Sequence, residues 1–483
     1  PDTTTRACEL PDGYAQDNSD CDDSSEAINP DASEICNDGL DNDCSGDAPE
    51  CIFSGEYSLD SAGLVMQGST ASLNFGTSLG VDDFNGDGQE DLVIGVPGSS
   101  RISSNAGEVF VFGSGIEPGI SPSLTASFES FNSHARTGSD VAMLGDVSGD
   151  GYPDLLVGNQ AKSGEESVFL YRGGSDSFDK GSSFSSRLGL KDPEAFGSEV
   201  AAIGDLNQDG VADLAIGASS AGGSAGAVYL WQDLDSKEEN SEPHAVIKGQ
   251  EGDALGLRDT VLGADLDGDG YGDLLTGAPL QARMYVNYGE ISGEIKAQDS
   301  DMIVTGVDQD DWFGQSPVSS DMNLDGYDDI IVGALAEQNK GGVAVGATHL
   351  FYGAASRPSA QWSSRDSTTQ IMGSNDSDLT GSAHAVNDVD GDGTPDLIIG
   401  QVGANVFNGA AYLFYGPLPE GLLRTENADA VLLGEEGGGL CGGLGTLAIA
   451  DLNQDSHSDL IMGCPGIDSS QSGTVSVFFG PSE

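Results

Sequence analysis

The sequence predicts an all-β protein assembled from seven copies of one unit, arranged as a ring or a stack. Three observations carry this expectation. An acidic ten-residue signature occurs seven times, as DFNGDGQEDL (83–92), DVSGDGYPDL (146–155), DLNQDGVADL (205–214), DLDGDGYGDL (265–274), DMNLDGYDDI (321–330), DVDGDGTPDL (388–397) and DLNQDSHSDL (451–460). The first aspartates of successive copies lie 56 to 67 residues apart, and an even period in that range marks a repeat architecture. Each signature runs into a short apolar stretch ending in glycine, such as LVIG (92–95) or IIVG (330–333), which is too short for a helix and suits a buried strand. About ten residues further on, most copies carry a second such strand, for example EVFVF (108–112), AVYLW (227–231) and TVSVFF (474–479). A Gly-containing start precedes each signature, clearest at Phe75-Gly76, Phe196-Gly197 and Phe313-Gly314. The unit therefore reads strand, acidic loop, strand, turn, strand, variable stretch.

The acidic loop has the chemistry of a calcium site. Calcium takes six to eight oxygen ligands, mostly carboxylate and carbonyl. Oxygen-bearing side chains at alternate positions of a tight loop converge on one centre, and glycine at position six permits the turn. In the first copy the expected ligands are Asp83, Asn85, Asp87, the backbone carbonyl of Gln89 and the closing Asp91. The second offers Asp146, Ser148, Asp150, Tyr152 and Asp154, and the third Asp205, Asn207, Asp209, Val211 and Asp213. The fourth offers Asp265, Asp267, Asp269, Tyr271 and Asp273, and the fifth Asp321, Asn323, Asp325, Tyr327 and Asp329. The sixth offers Asp388, Asp390, Asp392, Thr394 and Asp396, and the seventh Asp451, Asn453, Asp455, His457 and Asp459. Asp and Gly also dominate plain polar turns, but seven copies with the same closing acid and the same apolar run argue for metal. Ser456 stands where the other copies have the turn glycine, so weaker binding is expected there.

These residues resemble FG-GAP repeats, the blades of the integrin α-subunit propeller and of many secreted bacterial proteins. Phe313-Gly314, the loop Asp321 to Asp329, and Gly333-Ala334 give the pattern nearly intact. Other copies drift, to Leu255-Gly256 or Thr380-Gly381 for FG and Gly158-Asn159-Gln160 for GAP. The resemblance covers about residues 60 to 483. It implies a seven-bladed β-propeller of four-stranded antiparallel blades, with the calcium loops on one face and the partner site on the other. The chain ends on the third strand of repeat seven, and a spare strand-like segment, GLVMQG (63–68), precedes the first Phe-Gly. That segment is expected to complete the last blade and close the ring, which leaves only short, protected sheet edges.

Two domains are expected, a Cys/Asp-rich module over 1–51 and the propeller over 52–483. The module is too short to build its own core and would depend on disulfides or metal. It resembles the MopE-like metal-binding motif of secreted bacterial proteins, carried by CDD, NP, E-x-C and DGLDNDC. By that analogy Cys8 pairs with Cys21 and Cys36 with Cys44, leaving Cys51 over, and Asp38, Asp41 and Asp43 are candidate ligands. Two readings stay open here: one more metal ion, or an acidic disulfide-knotted stalk without metal. Cys441 and Cys464 sit at the FG and GAP positions of the last repeat, on neighbouring strands, where a disulfide is expected.

Asp and Glu number 80 against 17 Lys and Arg, for a formal charge of −63. Seven calcium ions would still leave the chain strongly negative, which excludes nucleic-acid or anionic-membrane partners that need basic patches. No apolar run reaches the length of a membrane helix. Without an initiator Met or signal peptide, the chain is expected to be processed or a fragment. The cysteine cluster and loops of modest affinity point outside the cytosol. Non-catalytic adhesion, or recognition of an extracellular protein or glycan, is the expected role; the alternative is a non-catalytic or catalytic propeller of a polysaccharide- or lipid-degrading secreted enzyme. FG-GAP-like propellers accompany such enzymes, and the acid content leaves a glycosidase-type carboxylate pair open. The five histidines, however, stand beside no G-x-S-x-G motif or zinc signature. Asp468, Ser470 and Ser472 match a metal-ion adhesion pattern but lack its strand-to-helix setting. On the expected partner face, Trp312, Phe407, His134, Arg136, Arg101 and Arg283 are the candidate contacts.

Overall fold

The structure, a computed structural model, describes residues 53–480 apart from 71–72, 114, 131, 160–167, 175–183, 189–194, 233–241, 356–360, 405–407, 435–438 and 467–470. Cys8, Cys21, Cys36, Cys44, Cys51, Asp38, Asp41, Asp43, Phe407, Asp468 and Ser470 lie outside the described residues.

Each acidic repeat forms one antiparallel sheet, and the seven sheets are the blades of a propeller. Their innermost strands are Leu79–Asp82, Val141–Met143, Phe196–Ala202, Val261–Ala264, Phe313–Ser320, Thr380–Asn387 and Leu447–Ala450. Each packs against the next, and the last packs against the first, so the ring is closed. The apolar run after each loop becomes the second strand; Asp91–Val96, Asp273–Ala278, Asp329–Ala334 and Asp459–Cys464 are buried at every position. A strand flanked on both faces by neighbouring blades has no solvent side, which explains why these runs do not alternate. Seven main apolar clusters fill the seven gaps between blades.

The FG and GAP glycines have a shared steric cause. A Cβ on the GAP glycine of each blade would stand 1.9 to 2.8 Å from the carbonyl oxygen of the next blade's FG glycine, from Gly277 against Gly314 to Gly158 against Gly197. Gly463 meets Gly76 in the same way across the ring closure. Blades can approach this closely only without side chains on one partner, and the FG glycines also hold φ between 67° and 103°. In blades 2 and 6, where threonine stands at the FG phenylalanine position, the cross-strand neighbour is polar as well. Thr137 Oγ1 donates to Asn159 Oδ1 at 2.6 Å, and Thr380 Oγ1 to Gln401 Oε1 at 2.9 Å. In the last blade the same pair is the disulfide Cys441–Cys464.

The closing segment behaves as expected and does more. Leu64–Gln67 pairs antiparallel with Thr474–Phe478 as the outer strand of blade 7. Just before it, Gly55–Ser58 adds in parallel to Ala430–Leu433, the outer strand of blade 6. Blades 3, 4 and 5 carry the same parallel fifth strand, Gly293–Lys296, Trp362–Ser363 and Gly421–Arg424, so four sheets are five-stranded rather than four. The device is one repeated segment: strand, single 3-10 turn, strand, seen in GEYSLDSAGLVMQG (55–68), GEIKAQDSDMIVTG (293–306) and GLLRTENADAVLLG (421–434). Its first strand covers the edge of one blade and its second completes the next.

Candidate functional site

All seven acidic loops join the first strand of a blade to the second, so they share one face; FG and GAP lie at the opposite ends of those strands. Each loop is drawn closed by its own carboxylates. Asp83 accepts the N–H groups of Asp87 and Gly88 at 2.9 and 2.8 Å, while Asp87 takes that of Gln89 at 3.0 Å. The side chain of position three also accepts the N–H of position five, as Asn85, Asn207, Asp267 and Asn323 do. Positions four and six are both left-handed, including Gln208, Leu324 and Gln454 at position four and Ser456 at position six. This winding turns the carboxylates of positions one, three and five inward. In Asp265-Asp267-Asp269 and Asp388-Asp390-Asp392 one oxygen from each residue lies within 4.8 Å of the others. A hard oxygen-only donor set of this kind suits calcium or magnesium.

The closing aspartate has a second duty. Asp154, Asp273, Asp329, Asp396 and Asp459 accept one N–H from position two of their own loop. They accept another from the glycine that ends the third strand: Gly173, Gly289, Gly353, Gly416 or Gly480. Asp91 instead takes the backbone and side-chain N–H of Asn85, and Asp213 takes the N–H of Leu206. Burial pushes Asp91, Asp273, Asp329, Asp396 and Asp459 up to about 7 and Asp154 to about 6. The backbone donors offset part of the rise and the other loop carboxylates add to it. A nearby cation would favour the charged form of these groups. Neighbouring loops also touch: Glu90 accepts the N–H of Asp451 at 2.8 Å across the closure, and Asp328 that of Asp265 at 2.9 Å.

On the FG face, the residue before each FG pair is left-handed throughout: Asn74, Arg136, Ala195, Ala254, Trp312, Leu379 and Leu440, with φ from 48° to 61°. For a bulky residue this conformation is uncommon. Trp312 nevertheless holds it while 46% exposed, so it does not pack between blades. His134 and Arg136 are exposed at the FG end of blade 2. Arg101 is exposed but ion-paired with Glu108 and Glu129, and Arg283 is half-buried at the FG end of strand Arg283–Asn287. His384 does not reach the surface: its Nδ1 lies 2.6 Å from the Ser316 carbonyl and its Nε2 2.8 Å from Thr348 Oγ1. His349 sits between Ser367 Oγ and Glu337 Oε2, in the order of a nucleophile–base–acid triad. Its ring is only 1% exposed and fills the slot taken by Phe110, Tyr229, Tyr285 and Tyr412 in other blades, so it is a core residue with its hydrogen bonds met.

A polar cluster near the propeller axis is not evident from the repeats. Arg258 Nη2 donates to the Leu444 carbonyl of blade 7 at 2.6 Å and to the Thr77 carbonyl of blade 1. Its Nε lies 3.6 Å from Asp140 of blade 2. Glu199 of blade 3 accepts the backbone N–H groups of Asp259 and Val261. Burial pushes Asp140, Glu199 and Asp259 upward, Asp140 to about 7, with Arg258 opposing the shift for Asp140 and Asp259. The available signal was a charged residue soon after the FG glycine in three successive repeats, in strands otherwise apolar.

The FG-GAP repeat profile matches residues 75–112, 137–171, 196–231, 258–290 and 313–346. Five of the seven blades are FG-GAP repeats. Blades 6 and 7 have the same strand order and glycine contacts, although their FG positions are Thr380 and Cys441. The MopE metal-binding motif matches residues 20–50. Among relatives, integrin alpha-5 of Xenopus laevis is 32% identical over 219 residues, covering 42% of this chain and 20% of the relative. Integrin alpha-V of Gallus gallus is 31% identical over 221 residues, with the same coverage. The phosphatidylinositol-glycan-specific phospholipase D of Homo sapiens is 32% identical over 179 residues, covering 35% of this chain and 21% of the relative. The match thus spans about a fifth of each relative's length.

Proposed function

We propose that this chain is a calcium-loaded recognition propeller, secreted or displayed on a bacterial surface, that binds an extracellular protein or glycan through its FG face. The propeller would occupy 52–483 and the metal-binding module 1–51. The observation that carries the reading is the division of labour between the two faces. One face is uniform, with seven oxygen-donor loops of one geometry; the other is varied and presents Trp312 in a strained, exposed conformation. Loops on a rigid scaffold commonly carry recognition, and exposed aromatics are favoured contact residues. About seven calcium ions would be held by positions one, three, five, seven and nine of the loops. Once bound, the ion neutralises carboxylates that otherwise repel one another. Similarity to integrin α-subunits supports adhesion, and no described helix is long and apolar enough to cross a membrane.

The test is a screen of the intact chain against a glycan array and a cell-surface extract, in calcium and in EDTA, with Trp312→Ala alongside. Calcium-dependent capture, weakened by Trp312→Ala with an unchanged melt, supports the reading. The phospholipase relative favours a second reading, the propeller of a secreted degradative enzyme. Turnover of an arrayed glycan or of a lipid substrate would establish that one instead.

A further inference from the structure

We infer that the FG face carries a neutral-saccharide pocket at the seam where the ring closes. This rests on the recognition reading above and names its ligand class. The cavity, about 560 Å³, lies between the exit of the closing strand Leu64–Gln67, the FG loop of blade 1 and the GAP loop of blade 1. That volume is in the range of sites for small organic ligands.

Its lining combines two chemistries. The half-buried ring of Phe110 and the half-buried Leu73 form its apolar side, and Phe75, whose ring centroid lies 6.1 Å from that of Phe110, and Val96 belong to the core with little surface exposed. Opposite them stand Gln67, Ser99, Asn105, Arg101 and Glu108. Glu108 is 3% exposed and is held by Ser99 Oγ at 3.0 Å and by Arg101 Nε at 3.1 Å. Arg101 pairs with Glu129 as well, so the guanidinium charge is balanced by two carboxylates. An anionic ligand would have to displace one of them, and it would approach a chain of net charge −63. The remaining polar groups are uncharged donors and acceptors. A sugar matches both halves: its hydroxyls both give and accept hydrogen bonds, and its C–H face packs on aromatic rings.

Binding of neutral oligosaccharides, measured by calorimetry and by saturation-transfer NMR, tests the pocket with wild type, Arg101→Gln and Asn105→Gly. Asn105→Gly suits the left-handed backbone at that residue, φ 48°, so folding should be kept. The expected result is a loss of about tenfold in affinity for Arg101→Gln and Asn105→Gly. Sugar binding unchanged in Arg101→Gln and Asn105→Gly, or binding of sulfated or sialylated glycans alone, would overturn the pocket and leave the recognition reading standing. Protein capture without any saccharide binding would do the same. Failure to bind any glycan or surface protein would overturn both.

Discussion

Single residues show where this repeat departs from its own pattern. Ser456 holds φ 70° at the position where six loops have glycine. A side chain there meets no obstacle, since a Cβ on Gly88, Gly151, Gly210, Gly326 or Gly393 has nothing within 4 Å. The cost is therefore backbone strain alone, about 1–2 kcal/mol for a non-glycine residue. Ser456→Gly should raise stability by about 1 kcal/mol in thermal melts, while Ser456→Ala should leave it near wild type. His384 makes a pH prediction. Burial lowers it to about 4 from an ordinary 6.5, so between those values protons bind the unfolded chain and not the folded one. Its contribution is present above pH 6.5 and is lost as pH falls towards 4. Asp140, Glu199 and Asp259, all raised, act in the opposite sense over acidic pH. The measurement is thus the difference between wild type and His384→Gln. The variant's stability should decline less on acidification from pH 7 to 4.5, and parallel pH profiles would count against the assignment.

At the scale of the element, the acidic loop and the closing segment differ in how far they can be read from sequence. The loop is legible because its causes are local: acids at alternate positions, turn residues at four and six, a closing acid, then an apolar run. The closing segment was half legible. Leu64–Gln67 could be matched to the outer strands by its spacing, but Gly55–Ser58 could not, because it is an almost wholly exposed edge strand and carries no buried apolar pattern. The segment contributes Leu59 to the cluster between blades 6 and 7, and Leu64 and Met66 to that between blades 7 and 1. Fully buried aliphatic side chains contribute about 1.5–3 kcal/mol each. A chain beginning at residue 69 should therefore melt well below the full chain in calorimetry; coincident melts would contradict two-blade closure.

For the whole molecule, the seven units followed from the period, and the propeller with its two faces from the FG-GAP resemblance, while the axis did not. Arg258 meets carbonyls 181 and 186 residues away, and no periodicity encodes that meeting. It joins blades 1, 2, 4 and 7, including both sides of the closure, and it is the cation among Asp140, Glu199 and Asp259. Removing one member of a buried charge cluster leaves the others uncompensated, at a cost of about 3–5 kcal/mol. Arg258→Met should lower stability by that order in denaturant unfolding, whereas an unchanged midpoint would show the acids to be neutral without it. The recognition residues were the least legible, since exposure decides them. Trp312 is exposed and Arg101 is neutralised by two carboxylates, outcomes that depend on neighbouring loops rather than on residue type.

The loops tie these scales together. If each binds calcium with a dissociation constant of about 10⁻⁴ M in about 1 mM calcium, mass action contributes roughly 1.4 kcal/mol per loop. Seven such terms are comparable with the whole stability of an ordinary domain. The decisive measurement is therefore a direct calcium count by equilibrium dialysis of chelator-treated protein, paired with thermal melts in calcium and in EDTA. About seven ions per chain and a melt raised strongly by calcium are predicted. No saturable binding, with coincident melts in the two buffers, would contradict the account.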